Sequence, residues 1–167
     1  FCPTYTSLAG LVDNKLNLVK YGAQNISHEN SGAHTGEISI SMLGELFCEY
    51  CIVGHSERRI LYSETDTNIN KKVKLLLRNN IIPILCVGET EEEKKNNNSN
   101  NVVMHQLSSC LEGVNLKEDK ILIAYEPVWA IGSGDNATRL DISLMNKTIV
   151  AHMNTLGYNN DQFYILY

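Results

Sequence analysis

Two short stretches carry side chains suited to proton transfer. In AYEPVWAIGSGDNAT (residues 124–138) a single acid, Glu126, ends an apolar run, and in GHSERR (54–59) His55 follows another. Abstracting a proton beside a carbonyl requires a carboxylate base and a donor that polarises the oxygen, set at opposite ends of the developing enediolate. Glu126 and His55 meet that requirement if their strands converge. The segment after Glu126 adds a third element. Pro127 stiffens the chain's exit, the lone tryptophan Trp129 is an anchor for a hinge, and Gly132 and Gly134 free the backbone near the tip. Such a flap excludes water and offers backbone N–H groups to an anion. Taken singly, each residue also has a structural alternative. A histidine after a strand is commonly just hydrogen-bonded, and Glu126, Glu89 or Glu57 has Arg58 and Arg59 available as partners.

These residues need a scaffold that brings strand ends together. Apolar runs near 1–3, 21–25, 50–54, 82–87, 120–125 and 163–167 read as strands rich in Ile, Val, Tyr and Cys. Between them, apolar residues recur at helical spacing: Leu8, Leu11, Leu16 and Val19; Met42, Leu43, Leu46 and Phe47; Ile69, Val73, Leu76 and Leu77; Val102, Val103, Leu107 and Leu111; Ile142, Met145, Ile149 and Met153. Gly157 is placed as the cap of the last helix. Strand and helix alternate throughout, which predicts an α/β fold with a parallel sheet. Periodicity leaves an open doubly wound sheet and a closed barrel equally available. In both, ligands gather at the carboxyl ends of strands, where His55, Glu89 and Glu126 stand.

Composition narrows the classes. The formal net charge is −5, with Lys and Arg scattered, so no basic face for nucleic acid is expected. No apolar run approaches the length of a membrane span. The five cysteines include one CxxC, Cys48 and Cys51, with no second pair to complete a zinc site. Cys51 reads as a buried strand residue and Cys48 as the end of a helix. The acidic and asparagine-rich stretch 91–101 reads as a solvated helix start and loop. No GxSxG elbow occurs, and no GxGxxG follows a strand. The chain starts at Phe1 and stops at FYILY, as though both ends cut through secondary structure.

Several stretches, in order, resemble the triosephosphate isomerase family. CPTY resembles its second barrel strand, YGAQN with SGAHTGEIS its long third loop, CIVGHSERR its fourth strand, ILCVGET its fifth, AYEPVWAIGSG its sixth with the lid, and ILY the start of its seventh. The resemblance covers the whole chain and implies a parallel (β/α)₈ TIM barrel. Residues 1–167 would then form a single, incomplete domain with six of the eight strands, from strand 2 to the start of strand 7. It implies interconversion of dihydroxyacetone phosphate and glyceraldehyde 3-phosphate, in glycolysis and gluconeogenesis, in the cytoplasm, by a homodimer, without metal or organic cofactor. Site roles come with the resemblance. Glu126 shuttles the proton and His55, as neutral imidazole, polarises the substrate oxygens. Gly132 gives its N–H to the phosphate, Ser56 and Glu57 support the site, and Pro127, Trp129 and Gly134 belong to the lid. Thr35 reaches the neighbouring subunit's site. Departures are Ser133 in place of threonine, Asp135 in place of lysine and His34 in place of phenylalanine. The family's asparagine and lysine of the first strand, and the phosphate-binding serine and paired glycines of the last strands, lie outside this sequence. Residues 1–167 alone are therefore expected to be inactive. A noncatalytic remnant and a phosphosugar-binding module are the competing readings. The first would leave two unpaired sheet edges, and the second has no need of both Glu126 and His55.

Overall fold

The computed structural model describes residues 1–12, 19–116, 119–131 and 136–167. Its framework is one all-parallel sheet of β1 (Gly22–Ala23), β2 (Tyr50–Val53), β3 (Ile82–Val87), β4 (Ile121–Tyr125) and β5 (Phe163–Leu166), hydrogen-bonded in that same order. The registers run Ala23 beside Cys51, Val53 beside Leu85, Val87 beside Tyr125, and Ala124 beside Leu166. A doubly wound sheet reverses direction at a switch point, and this one never does. The order is that of consecutive strands of a (β/α) barrel.

Helices α1 (Tyr5–Val12), α2 (Ile40–Glu45), α3 (Ser56–Leu61), α4 (Asp66–Arg78), α5 (Glu91–Lys95), α6 (Ser99–Cys110) and α7 (Arg139–Thr155) fill the connections. The two longest, α4 and α7, are capped by their own sequence. Thr65 Oγ1 accepts from the Asn68 N–H to start α4, and Thr138 and Asp141 form a reciprocal capping box on α7. At the other end of α7, Gly157 sits at φ 92°, its N–H bonded to the Asn154 carbonyl and that of Tyr158 to Met153. A Cβ resists that conformation, so the glycine falls where the helix must stop.

One face of the sheet is dry. Cys51, Val53, Leu85, Ile121, Ile123 and Phe163 pack against Ile69, Val73 and Leu76 of α4, Val103 and Leu107 of α6, and Met145, Ile149 and Met153 of α7. Each fully buried aliphatic contributes about 1.5–3 kcal/mol. The alternate strand residues, Ile52, Ile84, Leu122 and Ala124, are half-buried, and Tyr164 and Leu166 are exposed. This second apolar row is what a closed barrel places in its interior. Among the described residues, no helix is long and apolar enough to cross a membrane.

Some elements differ from the sequence expectation. Five strands form among the described residues, not six. Residues 1–3 are tied to the start of β1 without forming a strand, the Phe1 N–H bonded to the Lys20 carbonyl and the Gly22 N–H to that of Phe1. Pro3 has no N–H to continue the ladder, and α1 begins at Tyr5. Met42 and Phe47 are exposed rather than core: Met42 lies off the α2 face that buries Ile40 and Leu43, and Phe47 falls beyond the end of α2 at Glu45, where it turns left-handed at φ 50°. Val19 is exposed as well, and Leu16 lies outside the described residues. Cys48 falls in the turn beyond α2, while Cys51 is fully buried on β2.

Candidate active site

The carboxyl ends of β2, β3 and β4 converge on Glu126. It directly follows β4, and its N–H donates to the Val87 carbonyl at 2.9 Å, so the β3–β4 ladder fixes its backbone. Its side chain, 15% exposed, reaches back toward the start of α3. There the Ser56 N–H donates to Oε1 at 2.7 Å, Ser56 Oγ donates to Oε2 at 3.3 Å, and His55 Nε2 stands 3.2 Å from Oε2. Burial raises the Glu126 carboxyl above the usual carboxylate range. His55 and the two Ser56 donors pull it partly back.

His55 caps α3, and the Glu57 N–H donates to its Nδ1 at 3.3 Å. An imidazole nitrogen that accepts from a backbone amide carries no proton, so the ring hydrogen belongs on Nε2, facing Glu126. Glu57 thus touches His55 through its main chain. Its carboxylate is 72% exposed and 3.7 Å from Nδ1. His55 also borders a cleft of about 350 Å³ shared with Gln24, Asn25, Ile52 and Arg58. A larger groove of about 680 Å³ along α7, at Arg139, Asn146 and Val150, holds none of these groups.

Glu89, grouped by sequence with the strand-end acids, has another part. It is buried, accepts from Tyr125 Oη at 3.2 Å and from the Trp129 indole N–H at 2.8 Å, and its carbonyl accepts from the Val128 N–H. Lys94 of α5 lies over the Trp129 ring, 3.0 Å from its centre. Pro127 leads into a single 3₁₀ turn, Val128–Ala130. Trp129 is therefore held where the flap leaves the sheet. Gly132 and Gly134, with Ser133 and Asp135, lie outside the described residues. Thr35 is exposed in the loop between β1 and α2, whose base is closed by the Ser27 N–H on the Ile38 carbonyl.

The two arginines of GHSERR are engaged away from Glu126's carboxylate. Arg59 bonds the Gly54 carbonyl at 2.7 Å and Asp66 at 2.5 Å. Arg58 Nε is 3.4 Å from Glu64, which also pairs with the buried Lys72, itself 2.8 Å from Asn25 Oδ1. Sequence reasoning missed this buried network and also Gly88. A Cβ at position 88 would overlap the Glu126 carbonyl oxygen and stand 2.7 Å from its carbon. A glycine directly after a buried strand is the available signal for such close backbone approach. Among the described residues, no cluster of three or more His, Cys, Asp or Glu is arranged to hold a metal ion.

A family model described as triosephosphate isomerase matches residues 1–167, the entire chain. The chain belongs to the triosephosphate isomerase family. It is similar to proteins named triosephosphate isomerase from Natranaerobius thermophilus (46% identity over 89% of this chain and 58% of that protein), Aquifex aeolicus (48%, 96% and 65%) and Mycoplasma capricolum (50%, 78% and 53%). It thus spans roughly three fifths of the length of these relatives. Family membership agrees with the sequential parallel sheet and makes the barrel the parent fold.

Proposed function

We propose that the protein containing this chain interconverts dihydroxyacetone phosphate and D-glyceraldehyde 3-phosphate, with Glu126 and His55 as its catalytic pair. The observation that carries this reading is the opposition of Glu126 Oε2 and the Nε2–H of His55 at 3.2 Å, with Nδ1 occupied by an amide donor. In the free site these groups satisfy each other. A triose bound between them takes up both: the carboxylate faces a carbon-bound hydrogen and the imidazole N–H faces the oxygens. Glu126 removes the proton from C1 of the ketose, the C–H electrons form the C1–C2 double bond, and the carbonyl pair moves onto O2. His55 donates to that oxygen, a proton passes between the two oxygens, and Glu126 returns its proton to C2, giving the aldose. A raised carboxyl suits this task, since it brings the base nearer the working pH.

Gly132 serves the phosphate through its N–H in this reading, and Pro127, Trp129 and Gly134 carry the lid, with Trp129 anchored on Glu89. Ser56 holds the carboxylate between turnovers. A second copy of the chain completes the assembly, Thr35 reaching its site; exposed Tyr62, which lines the His55 cleft, and exposed Leu61 supply apolar area for that contact. The protein serves glycolysis and gluconeogenesis in the cytoplasm.

The test is a coupled assay of the complete protein with glyceraldehyde 3-phosphate, alongside Glu126→Gln. Turnover abolished by that one substitution is the expected result. A folded, inactive wild type, or an active Glu126→Gln, overturns the proposal.

A further inference from the structure

β3 pairs with β2 only as far as Leu85 opposite Val53, because the chain then turns off at Gly54 to place His55. Past that point the edge of β3 facing β2 has lost its neighbour, and side chains take over. Arg59 reaches the Cys86 carbonyl at 3.4 Å. At Gly88, one residue of α6 does the rest: Gln106 Oε1 accepts from the Gly88 N–H at 2.9 Å, and Gln106 Nε2 donates to the Gly88 carbonyl at 3.1 Å. A primary amide offers one acceptor and two donors, so a single glutamine stands in for the missing strand. On its other edge the same stretch holds the site, with Val87 and Glu89 accepting from the N–H groups of Glu126 and Val128. The Glu126 carbonyl presses directly on the bare Cα of Gly88.

We infer that Gln106 is a positioning residue, clamping Gly88 against the Glu126 main chain so that the carboxylate stays opposed to His55. The clamp acts from the far side of β3 and touches no reacting atom. Without its amide, two backbone groups of a buried residue are unpaired, and the tip of β3 is free to draw away from Glu126. The inference rests on the isomerase reading above for its kinetic consequence, and on the geometry alone for its structural one.

The experiment uses the complete protein with Gln106→Met, which keeps length and removes the amide. Hydrogen exchange at the Gly88 amide is expected to quicken at least about tenfold, in line with loss of its only described acceptor. Turnover is expected to fall about 10- to 100-fold with KM within about threefold, as for a displaced base. Placed on Glu126→Asp, whose base is already displaced, Gln106→Met should cost less than about threefold, because the two changes act on one position. A merely structural role predicts instead full additivity, and either that or unchanged turnover with unchanged exchange overturns the inference. Gln106→Glu covers a Met variant that fails to fold. It keeps the acceptor, loses the donor when ionised, and is expected to show a smaller drop in turnover; wild-type turnover would overturn the clamp. Should the wild type itself fail to turn over, the isomerase reading falls, and exchange at Gly88 decides the clamp by itself.

Discussion

Gly88→Ala is the most demanding substitution the site offers, for it adds one methyl group and touches no functional side chain. The added Cβ would overlap the Glu126 carbonyl oxygen and lie 2.7 Å from the Glu126 carbonyl carbon. Carbon–carbon contacts settle near about 3.5–4.0 Å, so the backbone at 126 must retreat by roughly 1 Å. The clamp from Gln106 holds the Gly88 side, which leaves Glu126 as the part that yields. A catalytic group displaced by about 1 Å loses on the order of 100-fold in rate, or about 2.7 kcal/mol of transition-state stabilisation. Overpacking adds about 1–3 kcal/mol of destabilisation. The assay is kcat and KM of the complete protein, with urea denaturation to show that the variant is folded. A kcat near one hundredth of wild type with little change in KM is expected. A folded alanine variant within threefold of wild type would refute the claim that Gly88 and Glu126 are mechanically joined.

Other outcomes follow from the same geometry. Glu126→Asp withdraws the carboxylate by one methylene from Ser56 and His55, so kcat should drop strongly while KM changes less; an unimpaired rate would remove Glu126 from the role of base. The Glu126 carboxyl, followed by carbon NMR with Glu126→Gln for assignment, should titrate above the ordinary glutamate value of about 4.3, and a midpoint at or below it would contradict the burial argument. Because this acid is raised on folding, it favours the folded state at pH below the unfolded value, and that contribution disappears as pH rises through the folded one. Glu126→Gln is accordingly expected to be at least as stable as wild type at pH 7 by chemical denaturation. Lys72→Met strands the buried Glu64 with only Arg58 nearby and leaves Asn25 Oδ1 without its ammonium donor, for a loss of about 3 kcal/mol; under about 1 kcal/mol would show the pair to be dispensable.

The sequence exposed what depends on periodicity and on singular motifs. Residues 82–87 were legible as β3 to the residue, since an apolar β-branched run bounded by polar chain has few other readings. The stripes of α4, α6 and α7 were legible for the same reason. Phe47 misled because spacing alone does not reveal that α2 lasts only six residues, and Met42 because the face α2 buries runs through Ile40 and Leu43. Residues 1–3 misled because α1 begins at Tyr5, so the run ends after its bonds with Lys20 and Gly22. In the site, Glu126 and His55 stand out as polar residues where apolar strands end. Glu89 has the same local signature, yet its partners, Tyr125 and Trp129, come from β4 and the turn beyond it. Gln106 leaves no trace in sequence, because a glutamine on a half-polar helix stripe has no pattern that points to a peptide on another element.

The strictly sequential order of the sheet also governs how the chain is born. Gly22 finds Tyr50, Tyr50 finds Ile82, Ile84 finds Leu122 and Ile121 finds Phe163, each bonded to the strand made just before it. Every strand after the first therefore leaves the ribosome with its template already synthesised, and β1 through β4 can zip together in the direction of translation. The residues of β2, β3 and α4 are thus all synthesised before the segment bearing Glu126. The Glu126 carboxylate is made last among these three strand ends, after the residues that seat it.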